Sequence, residues 1–225
     1  MTTKANTKTV HLAVYDDLAD WETGHAVAHI RNGEFQEGPD RYEVITVGAT
    51  ADPVTTMGGL RVVPDLALAD LDPAASALLI LPGSSGWYTD PDSFTPFTRA
   101  ARAFLAAGTP VAGICGATVG LAREGLLDDR AHTSGSAEDL AATGYQGAAH
   151  YRDELAVTDG GLTTAGPTAP VEFAREVFAV LGLYRPEVLA AWYRLFSAHD
   201  PSAFGALMAA QGAEGEAAAA EAATA

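Results

Sequence analysis

The sequence predicts one doubly wound α/β domain in which a mostly parallel sheet carries helices on both faces. Short apolar segments rich in β-branched residues alternate with helical patterns along most of the chain. The run at residues 77–81 (ALLIL) shows no polar alternation, as is typical of a parallel strand covered on both faces. A length of 225 residues suits a single substantial core.

The first predicted elements are two strands and the helix between them. Residues 9–15 form an apolar, β-branched run that predicts a buried strand. Asp20 is expected to cap a helix over residues 21–32, and Gly33 to end it. The second strand is predicted over residues 42–47.

Turn residues divide the middle of the chain. Gly58 and Gly59 predict a turn before a short strand at residues 60–63. The strand at residues 77–81 is followed by a loop over residues 82–86. An amphipathic pattern then predicts a helix over residues 94–107.

The last third of the chain becomes helical. Short strands are predicted at residues 155–158 and 162–164, before an amphipathic helix over residues 168–181. Two further helices, at residues 186–197 and 202–210, predict an appended hairpin that covers a sheet edge or, as the alternative, forms a dimer contact. The predicted organisation is an arm (1–8), the α/β domain (9–183), a helical extension (184–211) and a low-complexity acidic tail (212–225).

Composition and charge narrow the class of protein. Hydrophobic residues make up 48% of the chain and charged residues 19%, which is a globular balance. The net charge of −16 repels phosphate backbones, so we expect no nucleic-acid partner. No apolar run approaches the roughly 18–20 residues that cross a bilayer, so we expect no membrane partner.

Cysteine content bears on the compartment. The single cysteine excludes an internal disulfide and a cysteine-rich metal cage. The first ten residues hold no apolar stretch of the kind found in a secretory signal. We therefore expect a cytoplasmic protein that uses neither a metal nor a cofactor.

The most informative segment surrounds Cys115. A predicted strand at residues 109–114 runs directly into this cysteine, and a helix of small residues follows at 116–124. This order matches a nucleophile elbow in part, since Gly113 is present but Ala117 stands where the second glycine would be. A thiol at a helix N-terminus is expected to have a lowered pKa. The alternative is a buried structural cysteine.

Four segments give the chain its resemblance to a known family. They are Asp20-Trp21-Glu22, Leu81-Pro82-Gly83, Gly113-Ile114-Cys115-Gly116, and Gly166 with Glu172-Phe173. In order and spacing they resemble the DJ/PfpI superfamily, the flavodoxin-like relatives of class I glutamine amidotransferases. The resemblance implies a flavodoxin-like fold, a site at the carboxyl ends of the strands and a homodimer.

The resemblance also implies roles for residues around the cysteine. Glu22 would lie against the Cys115 sulfur and, if protonated, would donate to a thiolate. Backbone amides at Gly83, Ser84 and Gly116 would line an oxyanion site. Hydrolytic members place a histidine directly after the cysteine, where this chain has Gly116, or in a later loop. In that loop Ser134 stands at the aligned position and His132 lies two residues before it.

His25 and His29 share one helix face with Glu22, which would suit metal ligation. No second cluster supplies the remaining ligands. A packed or partly exposed polar stripe is the alternative.

The sequence is compatible with three functions. Cys115 could attack a small electrophilic carbonyl or amide, as in a hydrolase, amidase or deglycase. It could instead act as a non-hydrolytic oxidative-stress sensor through its own oxidation. The third alternative is a glutamine amidotransferase-like protein, although His150 lacks the His-x-Glu pattern of the usual glutaminase triad.

Overall fold

The computed structural model describes residues 7–36 and 41–210. Within them the strands are Thr7–Ala13 (β1), Arg41–Gly48 (β2), Val54–Thr55 (β3), Arg61–Val62 (β4), Leu66–Ala67 (β5), Leu78–Leu81 (β6), Val111–Ile114 (β7), Ala156–Asp159 (β8) and Leu162–Ala165 (β9). The helices are Gly24–Asn32 (α1), Gly86–Thr89 (α2), Pro91–Ala106 (α3), Gly116–Arg123 (α4), Ala137–Ala141 (α5), Pro170–Leu181 (α6), Pro186–Ser197 (α7) and residues 202–210 (α8).

Seven of these strands form one sheet in the order β5-β2-β1-β6-β7-β9-β8. All neighbouring pairs are parallel except β8 and β9, which pair antiparallel. The remaining two strands, β3 and β4, form a separate hairpin around the predicted glycine turn. The fold is therefore the flavodoxin-like, mostly parallel α/β architecture that the sequence predicts.

Helices cover both faces of the sheet, and alternate residues of β6 show this directly. Leu79 and Leu81 belong to a core cluster shared with α3 and α4, whereas Leu78 and Ile80 belong to the cluster shared with α1 and α6. All four side chains are fully buried. Because both faces of β6 are covered, an uninterrupted apolar run was required there.

Helix α1 begins at Gly24, so the predicted start at residue 21 and the predicted Asp20 cap are both wrong. The Asp20 carboxylate instead accepts a 2.6 Å hydrogen bond from the amide of Gly58 in the β3–β4 hairpin. This long-range bond holds the segment before α1 in turns, and Glu22 lies within those turns rather than on the helix.

The C-terminal extension packs against the helical layer, so the prediction that it covers a sheet edge is wrong. Trp192 of α7 is fully buried, with ring centroids 4.9 Å from Phe178 of α6 and 5.3 Å from His29 of α1. The apolar face of α7 is buried against the aromatic rings of these two helices. Residues 184–210 therefore extend the same core.

The ends of the chain fit the predicted boundaries less closely. Strand β1 begins at Thr7, inside the predicted arm, while residues 1–6 lie outside the described part. The predicted tail at residues 212–225 also lies outside it. Strands β3 and β5 and helices α2 and α5 were not predicted, because each spans five residues or fewer. Across the described ranges, no helix is long and apolar enough to cross a bilayer.

Candidate active site

Cys115 lies in a sharp turn between the end of strand β7 and the start of helix α4. The cysteine has φ 58° and ψ −127°, a backbone conformation that is costly for a residue with a side chain. Its amide donates to Ala165 O on β9 (3.0 Å), and its carbonyl accepts from the Thr118 amide (3.0 Å) and hydroxyl (2.6 Å). These bonds hold the strained turn, and the side chain is left partly exposed.

Two glycines allow the strand and helix to meet at this turn. A Cβ at Gly113 would lie 2.6 Å from a methyl carbon of Leu121, and one at Gly116 would lie 3.0 Å from Ser84 O. The alanine at position 117 is fully buried and is accommodated there. The missing second glycine of the elbow pattern therefore does not prevent the geometry.

Glu22 is brought to the cysteine by the turns before α1. Its side chain is fully buried, and its Oε2 accepts a 2.6 Å hydrogen bond from the Gly83 amide. Its Oε1 is also buried and has no nitrogen or oxygen partner among the described residues. The Cys115 thiol is the polar side chain that interacts with this carboxyl group.

Gly83 occupies the space between the two side chains. A Cβ on it would lie 2.7 Å and 2.8 Å from the two carboxyl oxygens of Glu22, and 2.8 Å from Cβ of Cys115. Any larger residue would push the pair apart. The Gly83 amide is committed to Glu22, so its expected place among the oxyanion donors is wrong.

The amides of Gly116 and Ser84, the other two expected oxyanion donors, are not bound by Glu22. The amide of Gly116, the first residue of α4, favours the ionised form of the Cys115 thiol and so acts to lower its pKa. The Ser84 amide donates to no acceptor in the described part of the chain, while its hydroxyl donates to Asp16 O. Ser84 therefore retains an unused N–H group at the loop that also holds Gly83.

Electrostatics overturn the expected lowering of the thiol pKa. Burial, followed by the charge of Glu22, raises the pKa of Cys115 to about 12, although the Gly116 amide acts in the opposite direction. Burial also raises the pKa of Glu22, against the lowering effect of the Gly83 amide. The helix terminus acts over one turn only, and here loss of water and a neighbouring carboxylate outweigh it. Between these pKa values the pair holds one proton, with the thiol beside a carboxylate.

His132 lies apart from this pair. It is fully buried, and its Nδ1 donates to Arg130 O at 2.9 Å, so Nε2 accepts from the Tyr145 hydroxyl at 3.2 Å. Ser134, two residues later, is the residue that reaches the elbow, through a 2.6 Å bond to the Thr118 hydroxyl. The structure thus brings Glu22 to Cys115 and gives His132 other partners.

Two residues near the site were missed by sequence reasoning. Tyr88 is 47% exposed, and burial together with the charges of Cys115, Asp139 and Glu22 raises its pKa to about 12. Asp139 in turn contributes to the raised pKa of Cys115. Both lie on short helices, α2 and α5, that carry no periodic pattern in the sequence.

The histidines on α1 pack against aromatic rings. His25 and His29 stack nearly parallel, and both meet Phe196 of α7 edge-on at 5.1 Å and 5.3 Å. Across residues 7–36 and 41–210 no group of three or more His, Cys, Asp or Glu side chains is placed to hold a metal ion. The helix face carries the packed stripe that was the alternative to metal ligation.

Residues 8–180 match the family model described as DJ-1/PfpI family. The chain belongs to the DJ-1/PfpI family.

The chain is similar to known proteins over most of their length. The Bacillus subtilis protein YoaZ, named an uncharacterized protease, is 37% identical over 90% of this chain and 97% of its own. A thiJ/pfpI family protein from Bacillus anthracis superposes with a TM-score of 0.87 at 37% identity, covering 92% of this chain and 99% of that one. The Caenorhabditis elegans protein DJR-1.2, named a glutathione-independent glyoxalase, is 24% identical over 62% of this chain and 73% of its own.

Proposed function

We propose that this DJ-1/PfpI family member is a cysteine-dependent enzyme that converts small α-dicarbonyls, such as methylglyoxal, into 2-hydroxy acids by adding water. The observation that carries the proposal is the buried Glu22 carboxylate beside the Cys115 thiol. A carboxyl group whose pKa is raised by burial is a better proton acceptor near neutral pH than an ordinary glutamate. Glu22 thus supplies the base that the loop histidine does not.

The first step forms a bond between the Cys115 sulfur and the aldehyde carbon. The thiol proton passes to Glu22 as the carbonyl π electrons move onto oxygen. The unused Ser84 amide is available to stabilise this oxygen, while the Gly116 amide favours negative charge on the sulfur. Transfer of the Glu22 proton to the oxygen then gives a hemithioacetal.

The remaining steps need no oxidant. Glu22 removes the proton on the sulfur-bearing carbon, and the ketone becomes an enediolate. The hydroxyl proton moves to the former ketone oxygen as Glu22 returns its proton to the former ketone carbon, which yields a thioester and a 2-hydroxyl group. Water cleaves the thioester, releasing the 2-hydroxy acid and restoring the thiol. The sum is one dicarbonyl plus one water giving one hydroxy acid.

The names of the Bacillus subtilis relatives suggest peptide hydrolysis. This reaction requires one more catalytic group in the site. The leaving amine must be protonated by a general acid, and the ring nitrogens of His132 are bonded elsewhere. The oxidation-sensor alternative needs thiolate at neutral pH, and the raised pKa of Cys115 opposes it.

The test measures methylglyoxal loss and lactate formation by wild type, Cys115→Ala and Glu22→Gln. We expect both variants to lose at least about 100-fold in kcat/KM, as is typical when a nucleophile or general base is removed. Glu187→Gln, an exposed glutamate on α7, is the matched control and should keep full activity. Equal rates for wild type and Cys115→Ala would overturn the proposal, and casein cleavage lost in Cys115→Ala would favour a protease.

A further inference from the structure

A cavity separate from the cysteine site lies at the point where the strand order reverses. The chain runs from β1 to β2 on one side of β1 and later returns to β6 on the other. In open α/β sheets the carboxyl ends of two such strands diverge and leave a crevice that commonly binds ligands. A cavity of about 460 Å³ occupies this crevice, lined by the segments after β1, β2 and β6 and by the start of α3. Neither Cys115 nor Glu22 lines it.

The inner wall of the cavity is aromatic. The ring of Tyr15 meets Phe94 edge-on at 4.8 Å and Phe97 at 5.1 Å. At most 8% of each side chain is exposed, so the rings are held in place by the core beneath them. The ring edges that reach the cavity, with Pro53 and Val54 beside them, form a small apolar wall against which a flat ligand can rest.

The rim of the same cavity carries four carboxylates. Each has one oxygen bound by a neighbouring donor: Asp16 by the Thr55 amide, Asp17 by the Ser85 hydroxyl, Asp52 by the Thr50 hydroxyl and Asp90 by the Ser93 hydroxyl. These bonds fix the carboxylates and leave their second oxygens without a donor among the described residues. No lysine, arginine or histidine lines the cavity, and none of the four carboxylates forms an ion pair within the described ranges.

We propose that this cavity binds a small organic cation made of a flat aromatic body and an amidinium, guanidinium or ammonium group. The aromatic body would lie against the wall formed by Tyr15, Phe94 and Phe97. The charged group would meet the carboxylate oxygens that have no other donor. The volume lies within the range of about 300–1,000 Å³ that is usual for small-molecule sites.

The test compares benzamidine with benzamide, which has nearly the same shape and no charge. Binding to the full-length protein is measured by titration calorimetry and by shifts of backbone amide NMR signals. We expect benzamidine to bind about tenfold more tightly than benzamide, since an exposed ion pair contributes modestly and more than one carboxylate takes part. Shifts should concentrate at residues such as Thr50, Ser85 and Ser93. Equal affinities, or no benzamidine binding at about 10 mM, would overturn the proposal.

Variants separate this cavity from the cysteine site. The double variant Asp17→Asn/Asp52→Asn keeps acceptors for the neighbouring hydroxyls and should weaken benzamidine binding about tenfold. Asp153→Asn, an exposed residue that does not line the cavity, is the control and should bind as wild type does. Ala49→Trp places a large ring at an exposed position of the lining and should abolish binding.

The outcome does not depend on catalysis. Cys115→Ala should bind benzamidine as tightly as wild type does, whether or not the protein consumes methylglyoxal. Binding that is lost in Cys115→Ala and kept in Ala49→Trp would place the ligand at the cysteine and overturn the proposal.

Discussion

The amide of Gly83 donates a 2.6 Å hydrogen bond to Oε2 of Glu22 and thereby fixes the carboxyl group beside Cys115. The bond joins the loop after β6 to the turns before α1, which are separated by about sixty residues of sequence. Because the donor is a backbone amide, its direction is set by the sheet and not by a side-chain rotamer. The glutamate is held on one oxygen and left unpartnered on the other.

Gly83→Ala is expected to separate the two reactive side chains. Its methyl group would lie within 2.8 Å of both Glu22 oxygens and of Cβ of Cys115. We expect the methylglyoxal activity to fall at least about tenfold and the unfolding free energy to fall by about 1–3 kcal/mol, as in other overpacked sites. Gly205→Ala, where a Cβ meets nothing within 4 Å, is the control. It should keep wild-type activity and should not lower the unfolding free energy, because alanine favours the helix there more than glycine does. A Gly83→Ala protein of wild-type activity would show that the close approach is unnecessary.

Glu22→Gln should lower the pKa of the Cys115 thiol. The glutamate charge raises that pKa at present, and the amide carries no charge, while burial continues to act. The measurement is the rate of alkylation by iodoacetamide as a function of pH in both proteins. We expect the variant to be alkylated faster at pH 8 although it is the slower enzyme. A thiol pKa that stays the same or rises would contradict the assigned electrostatics.

The raised thiol pKa predicts a loss of stability at alkaline pH. The unfolded thiol loses its proton near its ordinary pKa of 9, whereas the folded thiol keeps it until about 12. The folded state therefore binds more protons in this window, and the unfolding free energy must fall as pH rises through it. Urea unfolding at pH 8 and pH 10.5 should show a larger drop for wild type than for Cys115→Ser. Equal drops in both proteins would mean that the folded thiol titrates as an ordinary one.

His132→Asn should affect stability rather than chemistry. The buried imidazole bridges Arg130 O and the Tyr145 hydroxyl, and a shorter side chain leaves at least one of them without its partner. We expect a loss of about 1–3 kcal/mol in unfolding free energy, with kcat/KM changed less than about threefold. Tyr145→Phe removes one of the same bonds and should show a smaller loss of the same kind. A tenfold fall in kcat/KM of the folded His132→Asn protein would assign it a catalytic role.

Local sequence patterns were sufficient to predict most of the strands and helices. The uninterrupted apolar run of β6 and the strand–cysteine–glycine order after β7 both reflect interactions within a few residues, and both were predicted. The start of α1 was not, because the bond from Gly58 to Asp20 spans 38 residues. The role of Gly83 as a spacer depends on two side chains that are distant in the sequence.

The electrostatics of the site were the least predictable part. A helix N-terminus after Cys115 is visible in the sequence and predicts a lowered pKa. The burial and the carboxylate that reverse this prediction come from the turns before α1 and the loop after β6, which only the folded chain brings together. The cavity at the reversal of the strand order could not be predicted from the sequence for the same reason, since its lining comes from four separated segments.

The burial of Trp192 has a practical consequence for work on fragments. The family match ends at residue 180, which invites truncation of the chain shortly afterwards. Such a shortened protein would expose the faces of Phe178 and His29 that the Trp192 indole covers. The result would be an exposed apolar surface along two helices, which promotes aggregation. Recombinant versions that retain at least residue 210 should stay dispersed at concentrations where the trimmed version precipitates.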